Sequence, residues 1–366
     1  MTAKTPFRAD HVGSLLRPAS LAETRRRWKR GEIDAATLRA AEDEAIRKAV
    51  AMQESVGLQA ATDGEFRRDY WHIDFLSGIE GVGLSTQSSA RFQGEAEVPP
   101  TMTVAGKLRH TRPIQRDDFA FLKGITKVTA KVCIPAPAML HLRGGRAAIS
   151  RDAYPDLDAF WADLTTAYRT EIRTLGAAGC TYLQLDDVTI AYMCDPRMRE
   201  LSRANGDDPA ELPARYVAAL NAALVERPAN MSVTVHTCRG NFKNSWMAQG
   251  GYEPTAELVF GTLAVDGFFL EYDDARSGGF EPLRFVPKGK RVVLGLVSTK
   301  TAELESPDSI KRRIDAAAQF APLDAMCLSP QCGFSSTHHG NNLSEDDQTR
   351  KLARVVEVAR DVWGTA

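Results

Sequence analysis

Short apolar runs, each closed by polar residues, recur along the chain and alternate with segments of helical periodicity. The runs are 58–62, 128–134, 182–185, 231–235, 267–270, 291–297 and 325–328, and a shorter one opens within Phe7–Pro18 before turning into a loop. Each reads as a buried strand. Between them, Leu38, Ala41, Ala45, Ala49, Met52 and Val56 recur at helical spacing between Asp34, a good cap, and Gly57, a good stop. Leu157, Phe160, Leu164, Tyr168, Ile172 and Leu175 predict a helix over 156–178. Further helices are expected near 208–226, near 253–263, from Ser306-Pro307 onward, and from Ser344 to about Trp363. Residues 82–112 are rich in Ser, Gln and Pro and then partly alternate, which predicts a hairpin-like insertion.

Eight strands, most followed by a helix, predict an α/β fold of the (β/α)8 TIM-barrel type. No Pro/Gly/Ser linker divides the chain, so one domain is expected over residues 1–366. No GxGxxG follows the first strand, which argues against a dinucleotide fold.

Composition narrows the function by exclusion. The formal net charge is -1, and no basic block or aromatic-basic stripe suggests nucleic acid. No apolar run reaches the ~18 residues that a membrane span needs. The N-terminal stretch lacks an apolar signal region, so the expected compartment is the cytoplasm. The six cysteines are scattered, which suits packed thiols or metal ligands better than a disulfide framework. Cys133, Cys180 and Cys327 sit inside apolar runs and are expected in the core; Cys238 and Cys332 follow such runs in polar surroundings.

In a barrel of this kind the chemistry gathers at the C-terminal ends of the strands. Those ends carry Ser14, Glu65, Asp186-Asp187, His236-Thr237-Cys238, Glu271, Ser298 and Gln331-Cys332-Gly333. His236 and Cys238 are two apart and share one side of their strand. Alone, such a pair is weak evidence, because buried histidines and cysteines are common packing residues. Together with Glu271 and Cys332 it gives two thiolates, an imidazole and a carboxylate, a set that suits Zn²⁺. With neutral histidine the loaded site has a formal charge of about -1, which makes the metal a poor generator of hydroxide. It is better suited to lowering the pKa of an incoming thiol and leaving the sulfur electron-rich. Sulfur alkylation is therefore expected ahead of hydrolysis.

These residues resemble a known family. His236-Thr237-Cys238, Glu271 in Phe269-Leu270-Glu271, and Cys332 in Pro330-Gln331-Cys332-Gly333 are similar, in order and strand placement, to the zinc ligands of cobalamin-independent methionine synthase. The His-Val-Gly-Ser, Asp-Gly-Glu-Phe-Arg-Arg, Leu-Gln-Leu-Asp-Asp and Cys-Arg-Gly-Asn stretches resemble its short single-barrel members. The resemblance spans the chain as the catalytic C-terminal barrel of that family. It implies a zinc-dependent S-methyltransferase that moves a methyl group from 5-methyltetrahydrofolate or a related donor to homocysteine, giving methionine. It places Ser14, Glu65 and Asp186 at the amino-acid end of homocysteine.

Two departures stand out. The family's folate-facing tryptophan after the third strand is replaced by Ile134-Pro135-Ala136-Pro137-Ala138-Met139. Its histidine after the seventh strand is replaced by Ser298-Thr299-Lys300. The thiol half of the site looks intact and the donor half altered, so the acid–base group is unassigned, with Asp187 a candidate. Epoxyalkane–coenzyme M transferases resemble the same barrel and are the alternative, as is a non-catalytic barrel that binds zinc and a thiol. The expected partners are a small-molecule thiol and a methyl donor, with a partner protein that delivers the donor as a further expectation.

Other positions carry smaller expectations. Trp71 and His72 are expected at the mouth against substrate, and Arg239 and Asn241 beside the ligand pair. Asp273 and Asp274 read as loop acids that substrate could also use. His11 reads as structural or near the substrate, His338-His339 as surface residues, and Arg25-Arg26-Arg27 as a solvated helix face.

Overall fold

The protein is described by a computed structural model covering residues 5–85, 100–242 and 245–366. Seven parallel strands form one curled sheet in the order β1-β4-β5-β6-β7-β8-β9. They are β1 (Ala60–Ala61), β4 (Thr129–Pro135), β5 (Tyr182–Asp187), β6 (Ser232–Thr237), β7 (Gly267–Glu271), β8 (Arg291–Val297) and β9 (Met326–Pro330). The strands are almost wholly buried apolar runs, as parallel strands covered on both faces must be. The predicted insertion is an antiparallel hairpin of β2 (Glu80–Ser85) and β3 (Thr101–Arg109), with Val82 opposite Val104 and Ser85 opposite Thr101. Its middle, residues 86–99, lies outside the described residues.

The expected first strand is reduced to a single bridge. Ala9 pairs in parallel with Leu328, Asp10 N–H donates to the Leu328 carbonyl at 3.0 Å, and Leu328 N–H donates to Arg8 O at 2.8 Å. Side chains hold this segment instead of a long ladder. The Lys131 ammonium lies 3.0 Å from Asp10 Oδ1, and the Tyr182 hydroxyl donates to Asp10 Oδ2 at 2.7 Å. Gln184 Nε2 donates to the Val12 carbonyl. Lys131 and Asp10 are fully buried, so their charges are viable only as a pair. β1 is short for a related reason: the Gln53 side chain takes both the Thr62 N–H (2.9 Å) and the Thr62 carbonyl (2.9 Å), which ends the ladder.

The helices start where capping residues satisfy their first N–H groups. Asp34 caps Ala35–Ser55, Asp156 caps Leu157–Ala177, Ser306 caps Pro307–Ala317, and Ser344 forms a capping box with Asp347 ahead of Glu345–Trp363. The helix expected from 208 begins at Leu212, because Asp208 Oδ1 accepts the Ala210 N–H at 2.9 Å in a preceding turn. The helix expected at Arg25-Arg26-Arg27 spans Ala19–Lys29, and Arg116–Ile125 was not anticipated. Arg25, read as solvated, is 7% exposed: it pairs with Glu42 at 2.6 Å and donates to the Phe66 and Arg67 carbonyls. Helix faces such as Ile46, Leu164, Leu220, Phe260, Ile310 and Val355 join the strands in one continuous core. Cys133, Cys180 and Cys327 are buried, as expected, and so are the other three cysteines. Among the described residues, no helix is long and apolar enough to cross a membrane.

Candidate functional site

The C-terminal ends of the strands meet around a cavity. Its wall includes Ser14, Glu65, Trp71, Asp186, Asp187, His236, Cys238, Asn241 and Cys332, together with Arg143 and Tyr192. Strand register explains the convergence. Asp186 lies beside His236 on adjacent parallel strands, and Cys238 follows one residue beyond the paired end of β6.

The ligating atoms of His236, Cys238 and Cys332 all lie within 4.8 Å of one another, and all three residues are buried. The two sulfurs are 3.4 Å apart. Gly240 N–H points at Cys238 Sγ from 3.2 Å, a contact that favours a thiolate. The hydrogen bond between the thiols holds Cys332 below the usual thiol range and raises Cys238 well above it. His236 has two acceptors, Asp186 Oδ1 at 3.4 Å from Nδ1 and the Gln331 carbonyl at 3.2 Å from Nε2. Either can hold an N–H while the opposite nitrogen is left as a ligand. Burial opposes a charged His236, yet the Asp186 hydrogen bond and the Cys332 charge raise it on balance. Two soft sulfurs and an imidazole this close, shielded from solvent, fit a thiophilic ion such as Zn²⁺.

Glu271 is fully buried, and its carboxylate is already engaged. Oε2 accepts the Arg239 N–H at 2.9 Å, Lys300 Nζ lies 3.3 Å from Oε1, and Arg276 Nη2 lies 3.6 Å from Oε1. Burial works against its charge, but Lys300 and Arg239 outweigh that and hold it below the usual carboxylate range. The Arg239 side chain is buried too, bonded to the Gly250 carbonyl, the Tyr252 hydroxyl and the Glu271 carbonyl. Asn241 Nδ2 donates to Gly333 O at 3.0 Å, tying the loop after β6 to the loop that carries Cys332.

A second buried group, Glu65, Cys133 and Asp186, adjoins the first, with its ligating atoms also within 4.8 Å of one another. Glu65 has φ 60°, the sole non-glycine residue in the left-handed region among those described. Such a conformation costs about 1–2 kcal/mol and is kept where the surroundings impose it. They do so here: Asp63 Oδ1 accepts its N–H at 2.9 Å, and Arg17 donates to its carbonyl at 2.9 Å. Arg17 also donates to the Arg68, Ser335 and Thr337 carbonyls, stapling the Glu65 loop to the loop after Cys332. Burial pushes the Glu65 carboxyl up to about 8, with Arg68 opposing and Asp186 reinforcing. Asp186 Oδ1 accepts from Gln184 Nε2 at 2.7 Å.

Not every expected residue faces the cavity in the same way. Trp71 is part of its wall, whereas His72 is 2% exposed and tilted against the Trp71 ring at 4.8 Å. Burial and nearby Arg143 keep His72 well below the ordinary histidine range. Asp187 reaches the wall, but its Oδ1 accepts the Thr189 hydroxyl at 2.7 Å and the Ile190 N–H at 3.0 Å, a local cap. Asp273 is half-buried, its carboxylate accepting the Ser298 hydroxyl, and Asp274 caps a short turn through the Arg276 N–H. His11 is buried against the Lys131 ion pair, and His338 and His339 are half-buried around Tyr70. Lys300, Arg143 and Tyr192 were not singled out from the sequence. Lys300 had a signal, since it lies in the Ser298-Thr299-Lys300 stretch that the resemblance sets against the family's histidine.

A family model described as cobalamin-independent synthase, catalytic domain, matches residues 7–361. The chain belongs to this family. Among curated relatives, Bacillus subtilis YxjH, described as uncharacterized, is 45% identical over 98% of this chain and 96% of its own length. A methionine synthase from Pyrococcus abyssi is 26% identical over 88% of this chain and 85% of its own length. A crystal structure of a putative vitamin-B12 independent methionine synthase from Listeria monocytogenes is 37% identical, with TM-score 0.79 and 98% of both chains covered. A B12-independent methionine synthase from Shewanella sp. W3-18-1, solved in complex with selenomethionine, shares the fold at 19% identity, with TM-score 0.75 and 97% of both chains covered.

Proposed function

We propose that this chain is a single (β/α)8 barrel acting as a zinc-dependent methyltransferase that converts homocysteine to methionine, with 5-methyltetrahydrofolate or a related molecule as donor. The observation that carries this reading is the meeting of His236, Cys238 and Cys332 in the same cavity as Glu65 and Asp186. Soft ligands stand directly beside buried carboxyl groups, with Asp186 Oδ1 3.4 Å from His236 Nδ1, which suits a small thiol that carries an ammonium group. Family membership supports the same reaction class.

His236, Cys238 and Cys332 would hold the metal, with Glu271 as the fourth ligand. When bound, the ion lowers the pKa of a thiol and leaves its sulfur nucleophilic. The chain's own residues then orient the reactants. Asp186 receives the homocysteine ammonium together with Glu65, whose proton is lost to solvent as the ammonium charge arrives beside it, and Ser14 donates to the substrate carboxylate. Trp71 offers a ring face to the donor, and buried walls exclude water from the in-line displacement of the methyl group.

The test is metal content and sulfur ligation in wild type and Cys332→Ala, with and without homocysteine. One zinc per chain, weakened by the substitution, and an added zinc–sulfur distance with homocysteine would support the reading. Zinc indifferent to Cys332 and to thiols would overturn it. Donors are then screened among methyl-folates, methylcobalamin and epoxides.

A further inference from the structure

We propose that Lys300 is a built-in competitor for Glu271, so that this carboxylate alternates between the lysine and the metal. The proposal rests on the zinc reading above and adds a control on it.

The geometry singles out Lys300 among the cations around Glu271. Arg239 contributes a backbone N–H, while its guanidinium is fixed by Gly250, Tyr252 and the Glu271 carbonyl. Arg276 is held through Nε by Asp274 Oδ2 at 2.7 Å and lies over the Trp246 ring at 4.4 Å, so its Nη2, 3.6 Å from Glu271 Oε1 and 3.8 Å from Asp273 Oδ1, belongs to a stacked, anchored group. Lys300 alone presents a compact ammonium on a flexible stem. It sits between two carboxylates, 3.3 Å from Glu271 Oε1 and 3.8 Å from Asp273 Oδ2. Asp273 is itself steadied by the Ser298 hydroxyl at 2.9 Å. Lys300 can therefore give up Glu271 and remain paired through Asp273, without leaving a buried charge alone.

Two consequences follow for the chain. The three remaining ligands hold the ion most firmly, and Glu271 is a weak fourth one. An incoming thiol then needs to displace only a carboxylate that has a second partner waiting. A buried lysine so placed also lowers metal affinity by keeping Glu271 occupied.

Zinc affinity, measured by competition with a chromophoric chelator, reads this directly. Lys300→Met is expected to tighten zinc by about tenfold or more, as removal of a close opposite charge frees the buried carboxylate. The gain is expected to vanish when Lys300→Met is made in the Glu271→Gln background, measured against Glu271→Gln alone. A gain that survives in the double variant would mean simple charge repulsion and would overturn the proposal. Asp273→Asn should act in the opposite direction, weakening zinc several-fold, because Lys300 then has only Glu271. That variant decides the question if Lys300→Met fails to fold, and an unchanged affinity in it would overturn the proposal. Failure of the underlying reading is separately visible. If wild-type zinc ignores Cys332→Ala, the site assignment falls; if it depends on Cys332 but not on Lys300 or Asp273, this inference alone falls.

Discussion

The Arg68 guanidinium lies 3.6 Å from the Glu65 carboxylate, yet Glu65 is pushed up to about 8. Burial outweighs the neighbouring cation, because Arg68 also spends its hydrogen bonds on Gln115 Oε1 and the Cys133 carbonyl. The sign of the pH dependence follows. An unfolded glutamate ionises near 4.5, whereas folded Glu65 keeps its proton to about 8. Its stabilising contribution is fully present below the unfolded value and is lost as pH rises through the folded one. Glu65→Gln copies the protonated form. The variant should match wild type near pH 4.5 and become more stable than it toward pH 8.5. Urea unfolding across that range measures the difference; parallel curves would show that Glu65 titrates normally.

A Cβ on Gly333 would stand 1.9 Å from Ser14 Oγ and 3.1 Å from Ser14 Cβ. Ser14 cannot retreat easily, because its carbonyl accepts the Phe334 N–H at 2.9 Å and Leu15 N–H is held by the Gly64 carbonyl. Gly333→Ala should therefore push Ser14 off its place and weaken homocysteine binding about tenfold or more, if Ser14 holds the substrate carboxylate. Zinc affinity should change much less. Titration calorimetry with homocysteine, beside a metal assay, separates the two effects; equal binding would remove Ser14 from the substrate contacts.

Removing the charge of Lys131 should be among the most damaging substitutions in the fold. Lys131 pairs with Asp10 where neither side chain is exposed, and lies over the Phe269 ring at 4.2 Å and the Tyr182 ring at 4.9 Å. Lys131→Met leaves Asp10 buried with an uncompensated charge, which costs about 3–5 kcal/mol. The double variant Lys131→Met/Asp10→Asn should recover part of that loss. Chemical unfolding of the single and double variants tests it, and additive losses would mean the two groups do not depend on each other.

The strand ends were the legible part of this chain. Apolar runs that finish in His236-Thr237-Cys238 or Gln331-Cys332-Gly333 announce themselves, because soft ligands after a buried strand are uncommon among turn residues. The helix caps were legible too, since a cap acts within three residues of itself. What escaped depends on distant partners. Arg25 looked solvated until Glu42 and the Phe66 carbonyl were found beside it. β1 looked longer because nothing local shows Gln53 taking the Thr62 backbone. Asp187 looked free for acid–base work, although the Asp-Val-Thr spacing already allowed the cap through Thr189. The Lys300–Glu271 contact joins two strand ends 29 residues apart, and periodicity carries no information about which side chains meet there.

The bridge between Ala9 and Leu328 also bears on how the chain is made. Residues 318 positions apart, such as Arg8 and Met326, must find each other before that edge of the sheet is joined. During synthesis the early segment emerges long before its partner strand exists. Asp10 and its neighbours then wait beside an open sheet edge, a state prone to wrong pairing. The cavity takes walls from both regions, so a nascent chain released before β9 lacks Cys332, Gly333 and Ser336 and cannot close its site.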